Sequence, residues 1–203
     1  MSGSPTIGAE DVKRLRDITG AGMMDCKRAL VEAGGDLARA QEILRTKGLA
    51  SAARKGGRSA REGVIESYIH PGGRVGVLVE VNCETDFVAR TDEFRALPRE
   101  IAMQVAARSP RWVSRDEVPE DVVASERKIY EEQAREGGKP ERIIDKIVEG
   151  KLDSFFRDTV LLDQEYIRDD SKSVGDVVSE VAAKVGENVV VRRFTRYQLG
   201  EEA

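Results

Sequence analysis

Glu80-Val81-Asn82-Cys83-Glu84-Thr85-Asp86-Phe87-Val88-Ala89-Arg90 is the stretch on which the reading of this chain turns. An alternating apolar strand ends here in a polar corner, and a Phe follows at once. Thr85 suits the N-cap of a short helix, and Asp86 is favoured in a first helical turn by the macrodipole. Phe87 stands seven residues before Phe94, so periodicity alone makes it the start of the next helix's core stripe. A Phe at such a polar helix start can equally project from the corner. Both readings are open at this point.

Upstream of the corner, Val64, Ile65, Tyr68 and Ile69 precede Pro71-Gly72-Gly73, and Val75, Val77, Leu78, Val79 and Val81 follow it. β-branched enrichment around a Pro-Gly-Gly turn predicts a β-hairpin whose second strand delivers the chain to Cys83. Downstream, Phe94, Leu97, Ile101 and Val105 sit at helical spacing, with Pro98 either kinking that helix or opening a second. Trp112-Val113 suits a brief strand. Pro119 opens a highly charged helix to Glu136, and Gly137-Gly138-Lys139-Pro140 turns the chain into a return helix carrying Ile143, Ile144, Ile147, Val148, Leu152, Phe155 and Phe156. Together they form a predicted helical hairpin. Ser173 caps a helix through Val177, Val178, Val181, Ala182 and Val185. After Gly186-Glu187-Asn188 a last strand from Val189 to Leu199 must pair with the earlier hairpin, the available sheet.

The first 50 residues read as three short helices. Val12, Leu15 and Ile18 mark one face of the first, and Thr19-Gly20-Ala21-Gly22 breaks it. Gly34-Gly35-Asp36 closes the second helix and caps the third, which carries Leu37, Ala40, Ile43 and Leu44 and is predicted to stop at Gly48. At about 100° per residue, Met23, Cys26, Leu30 and Ala33 share one stripe of the second helix, whereas Met24 falls roughly 140° away and faces water. Met24 is a candidate partner contact; the bland alternative is a Met partly buried under the following segment. Ser51 to Arg61 is small and basic, a solvated helical or flexible connection or, less simply, a local phosphate-binding patch.

Composition narrows the function. Hydrophobic residues make up 40% of the 203 and charged ones 34%, against a charged share of about 25% in ordinary globular domains. The net charge of −4 supplies no global field for nucleic acid. Cys26 and Cys83 fall in different elements and build neither a disulfide framework nor a zinc site, which fits a reducing cytosol. Met1-Ser2-Gly3-Ser4-Pro5-Thr6 has no basic start or apolar run, and no window approaches the ~18 apolar residues of a membrane span. His70, Cys83 and Asp86 can be set down on paper as a catalytic triad, but His70 is the only histidine and lies at a turn. Thr19-Gly20-Ala21-Gly22 lacks the Lys of a phosphate loop and follows a helix. No stretch reads as an active site.

Two segments in the expected order, Leu15-Arg16-Asp17-Ile18-Thr19-Gly20-Ala21-Gly22-Met23-Met24-Asp25-Cys26-Lys27-Arg28-Ala29-Leu30 and Glu80 to Arg90 with its Thr85-Asp86-Phe87-Val88-Ala89, resemble the translation elongation factor Ts family. Its members are guanine-nucleotide exchange factors of the GTPase elongation factor Tu. The resemblance implies an α+β protein. Residues 1–50 would be a ubiquitin-associated-like three-helix partner-binding module, 51–61 a basic linker, and 62–203 a dimerisation and exchange core in which helices pack a small antiparallel sheet beside a helical hairpin. The long bacterial form carries two copies of the core. This chain has one, which resembles the short form and implies a homodimer that takes up two partner molecules.

By the same resemblance Asp86 and Phe87 are an intruding tip, with Thr85 and Val88 beside them in the same partner-binding site. Arg16, Met23 and Met24 are contacts to the GTPase's nucleotide-binding domain, and His70 at the hairpin turn is a further one. Phe87 would wedge between two helices and displace groups that hold Mg²⁺. The implied protein is not an enzyme, needs no cofactor or metal of its own, touches neither membrane nor nucleic acid directly, and is cytoplasmic. The rival reading is a module that docks partner helices through its three-helix domain without exchanging nucleotide.

Overall fold

The computed structural model describes residues 7–19 and 21–201, with the side chains of residues 49 and 51–55 excepted. Gly20 of the first turn, the start from Met1 to Thr6 and the side chains of the basic segment from Ser51 to Lys55 therefore lie outside the described residues. The fold is α+β, with elements numbered below in chain order.

Helices α1 (Ala9–Thr19), α2 (Met23–Glu32) and α3 (Leu37–Lys55) open the chain. Val12, Leu15, Cys26, Ala29, Leu30, Ala33 and Ala40 form their common core, flanked by Ile7, Ala21, Leu37, Ile43 and Leu44. Two expectations are corrected here. Ile18 is 56% exposed, because steps of three residues drift by about 60° each on a helix, so that Thr19, not Ile18, falls in line with Val12 and Leu15. Met23 is 50% exposed; as the first residue of α2 it lies beyond the end of the packed stripe, which runs Cys26, Ala29, Leu30, Ala33.

The glycine pair after α2 works as expected. Gly34 and Gly35 take φ values of 67° and 89°, and the Gly35 N–H donates to the Leu30 carbonyl at 2.9 Å, closing the helix from the left-handed region. Asp36 then accepts from the Arg39 N–H at 3.0 Å and caps α3. That helix does not stop at Gly48 but continues to Lys55. A mid-helix Gly costs only about 1 kcal/mol, and the Ala-rich sequence after it restores helix propensity.

Strands β1 (Glu62–Ile69), β2 (Val75–Cys83) and β5 (Val190–Gln198) make a three-stranded sheet in the order β1-β2-β5. The hairpin turn is built as its sequence demands: Pro71 precedes Gly72 at φ 94°, and the Gly73 N–H closes on the His70 carbonyl at 2.9 Å, a type II turn. Arg193 bonds Glu80 at 2.7 Å and the Leu199 N–H bonds the Arg74 carbonyl at 2.8 Å, so β5 runs antiparallel to β2.

After the short helix α4 (Asp86–Ala89), α5 (Asp92–Arg108) passes through Pro98 as one helix. Pro98 costs the helix one N–H bond and crowds the carbonyl of the preceding turn, and the buried stripe Phe94, Leu97, Ile101 and Val105 offsets that cost by holding the helix on both sides of it. The predicted strand at Trp112 is reduced to a single bridge with Val160. Helices α6 (Glu120–Glu136) and α7 (Glu141–Thr159) form the predicted hairpin, with Ala134, Ile144, Val148 and Leu152 as its core.

A second, two-stranded sheet of β3 (Glu165–Tyr166) and β4 (Asp169–Ser173) follows. Its Asp-Asp-Ser-Lys-Ser strand carries no apolar alternation, which is why the sequence does not predict it. Helix α8 (Val174–Val185) begins in a reciprocal cap: the Ser173 N–H donates to the Asp176 carboxylate, and the Asp176 N–H to the Ser173 hydroxyl, each at 3.0 Å. Two compact units divide the chain, one of Met1–Val64, Asn82–Leu97 and Val178–Val190, the other of Ile65–Val81, Pro98–Val177 and Val191–Ala203.

Candidate functional site

The corner after β2 is held by three kinds of bond. Thr85 has extended backbone and its hydroxyl accepts from the Val88 N–H, the N-cap that its position suggests. Within α4 the Asp86 carboxylate accepts from Arg90 at 2.7 Å. That pair is exposed and contributes well under about 1 kcal/mol, so its effect is to orient the carboxylate. The third and largest set comes from far along the chain.

Glu187, in the loop between α8 and β5, reaches the corner with both carboxylate oxygens. One accepts from the backbone N–H groups of Glu84 and Thr85, each at 3.0 Å, and the other accepts from the Thr85 hydroxyl at 2.6 Å. Glu84 answers with its own carboxylate, which accepts from the Asn188 N–H at 2.6 Å. The buried Asn188 amide donates in turn to the carbonyl of Arg58 at 2.8 Å, just past the end of α3. Two carboxylates thus exchange bonds across the corner, and the side chain of Asn188 ties them to the segment that leaves the three-helix module.

Against this fixed backbone Phe87 is 79% exposed, and among the described residues it is the most exposed of the large apolar side chains. The periodic reading that put it in the core fails because α4 ends at Ala89 and α5 starts afresh at Asp92, so Phe87 and Phe94 do not share a helix face. Val88 is half-buried beside it.

Cys83 sits fully buried at the root of the corner and donates its thiol to the Thr85 carbonyl at 3.2 Å. Burial pushes that thiol up to about 11, and the nearby Glu187 carboxylate adds to the shift. A thiol so held is a poor nucleophile. His70 lies in the other compact unit, exposed, with its Nδ1 3.1 Å from the Tyr68 hydroxyl. Among the described residues no group of three or more His, Cys, Asp or Glu side chains is placed to hold a metal ion, and no helix is long and apolar enough to cross a membrane.

The first unit also contains the other predicted contacts. Met24 is 63% exposed, Met23 half exposed, and Arg16 exposed on α1. Ile18, near the end of α1, is exposed as well. Sequence reasoning missed Glu187, Glu84 and Asn188. The available signal was topological: a last strand antiparallel to β2 brings the residues just before it beside those just after Cys83.

A family model described as Elongation factor TS matches residues 52–201. The chain belongs to the elongation factor Ts family. Among its relatives, elongation factor Ts of Anaeromyxobacter dehalogenans is 60% identical over 195 residues, covering 96% of this chain and 89% of the relative. That of Caldanaerobacter subterraneus subsp. tengcongensis is 57% identical, covering 96% and 98%. The Fervidobacterium nodosum protein is 56% identical, covering 96% and 99%. The match to these relatives thus extends over both the three-helix module and the Phe87 corner.

Proposed function

We propose that this member of the elongation factor Ts family is a guanine-nucleotide exchange factor that binds the GTPase elongation factor Tu during translation elongation and speeds GDP release by inserting Phe87. The observation that carries the reading is Phe87 itself: an aromatic ring almost wholly in water on a backbone fixed by several hydrogen bonds. An exposed Phe gains nothing for the folded monomer, and a large rigid apolar side chain is the type that anchors interfaces. Much of a GTPase's grip on its nucleotide runs through Mg²⁺ bridging phosphate charge. A wedge that disturbs that shell raises the off-rate without competing for the base.

Arg16, Met23 and Met24 supply a second contact on the GTPase, Asp86 a polar one beside the wedge, and His70 another from the hairpin turn. Linkage fixes the thermodynamics: the factor weakens GDP binding by the ratio in which GDP weakens factor binding, so exchange passes through a nucleotide-free complex. The protein acts in the cytoplasm, as a homodimer engaging two GTPase molecules. An apolar sheet face supports the dimer: Ile65 and Ile69 on β1, Leu78 on β2, Tyr197 on β5 and Leu199 just beyond it are each at least half exposed.

The test is release of labelled GDP from elongation factor Tu. Phe87→Ala should fold and melt as the wild type does, yet lower the stimulated rate by about tenfold or more. Wild-type stimulation by the folded variant sinks the wedge.

A further inference from the structure

Glu187 is 102 residues from Thr85 in sequence, and nothing in the proposed contact set uses it. It is half-buried and spends its carboxylate on the corner: two backbone N–H groups on one oxygen and the Thr85 hydroxyl on the other. The two N–H groups belong to the residues where β2 has ended and α4 has not begun, so neither strand nor helix supplies their acceptor. We infer that Glu187 is the positioning residue for the exchange tip, holding the Glu84–Thr85 backbone so that Phe87 is presented in one orientation. The inference rests on the exchange reading of Phe87 and adds to it the group that does the holding.

Three features favour this role over a generic surface bond. First, the arrangement is reciprocal, since Glu84 accepts from the Asn188 N–H at 2.6 Å; a shift of either segment breaks bonds in both directions. Second, the Asn188 amide bonds the carbonyls of Gly56 and Arg58 at 3.4 and 2.8 Å, and Arg58 lies 3.6 Å from the Glu84 carboxylate. The cluster therefore spans the end of α3, the tip and the start of β5. Third, the bonds are made to backbone, so they fix where the Phe87 Cα stands and leave the ring free to contact a partner. A wedge that acts by displacing metal-site groups is sensitive to position: misplacement by about 1 Å costs on the order of 10²-fold in such geometries.

The carboxamide of Gln can keep this geometry. Its oxygen accepts from both N–H groups, and its NH₂ donates to the Thr85 hydroxyl oxygen, which reorients to accept. Asp keeps the charge but is one methylene short. Glu187→Gln should thus act like wild type, and Glu187→Asp should act like Glu187→Ala.

The experiment titrates each full-length variant into elongation factor Tu bound to labelled GDP and separates the maximal release rate from the half-saturating concentration. Glu187→Ala and Glu187→Asp should lose about 10- to 100-fold in maximal rate, with half-saturation moving less than about threefold, because the docking contacts of Met23 and Met24 are intact. Glu187→Gln should stay within about threefold of wild type. In parallel, amide hydrogen exchange on the free protein should quicken at Glu84 and Thr85 by about tenfold or more in the Ala variant while Val79 and Val81 stay protected. A wild-type maximal rate from Glu187→Ala, equal losses in the Ala and Gln variants, or unchanged exchange at Glu84 and Thr85 overturns the inference. If the Ala variant does not fold, the Asp variant carries the same test. Absence of any stimulation by the wild-type protein instead overturns the exchange reading, and the hydrogen-exchange arm still decides whether Glu187 holds the corner.

Discussion

Gly48 of α3 and Ala183 of α8 meet so closely that a Cβ built on Gly48 would stand 3.1 Å from the Ala183 Cβ. Both lie in the unit that carries the corner, and the Arg45 guanidinium pairs with Glu180 one turn earlier on the same helices. Gly48 is thus a packing position and not a helix end. Gly48→Leu should destabilise the protein by about 1–3 kcal/mol, since the larger side chain must push α3 off α8. A chemical-denaturation midpoint equal to wild type contradicts this.

Gln104 is fully buried on α5 and its amide is fully used. It donates to the Gln164 side chain and to the Glu165 carbonyl, each at 3.1 Å, and accepts from the Ile167 N–H at 2.9 Å. These bonds pin the β3–β4 sheet to the helix. Gln104→Leu fits by size but strands the buried Gln164 oxygen together with the part-buried Glu165 carbonyl and Ile167 N–H, so a loss of about 2–4 kcal/mol is expected in urea unfolding, with unchanged slope. A loss below about 1 kcal/mol means that water replaces the amide.

How much of this was legible in the sequence follows from which interactions are local. The Gly34-Gly35-Asp36 stop and cap, the Pro71-Gly72 turn, the Ser173 cap and the α6–α7 hairpin each depend on a few neighbouring residues, and all were predicted. Ile18 and Met23 were misplaced because a three-residue step approximates a 3.6-residue helix only briefly, and because a stripe says nothing about where a bundle ends. Gly48 was misread because its reason lies on α8. The exposure of Phe87 depended on a helix break between Ala89 and Asp92 that its spacing to Phe94 concealed. Glu187 left no local signal for the same kind of reason: its partner Thr85 is 102 residues away, Gly-Glu-Asn reads locally as an ordinary turn, and only the pairing of the last strand with the earlier hairpin pointed to it.

The sheet face offers a direct test of the homodimer. Leu78 is half exposed on the central strand β2, with Tyr197 and Leu199 exposed on or beyond β5 and Ile65 and Ile69 on β1. Leu78→Glu puts a charge at the middle of that face, and desolvating it should raise the dimer dissociation constant by about 100-fold or more. Light scattering should report a wild-type mass near twice 22.4 kDa and a smaller one for the variant. A monomeric wild type at micromolar concentration removes the dimer; a variant that still dimerises moves the interface elsewhere.

Alkaline pH should destabilise the fold through Cys83 and Tyr166. Burial pushes the Cys83 thiol from 9.0 to about 11, and burial together with the 2.6 Å bond to Glu100 pushes the Tyr166 hydroxyl from 10.0 to about 12. In the unfolded chain both groups release protons near their ordinary values, while the folded protein still holds them. The folded state therefore binds more protons above about pH 9, and stability falls as pH rises. The contribution is complete below pH 9 and is lost through the folded values near 11 and 12. Melting temperatures measured from pH 8 to 11 should be level at first and then decline. Tyr166→Phe, which lacks the titrating hydroxyl, should decline less steeply over the upper part of that range, whatever its starting stability. A wild-type melting temperature that holds level to pH 11 shows that neither proton is retained by the fold.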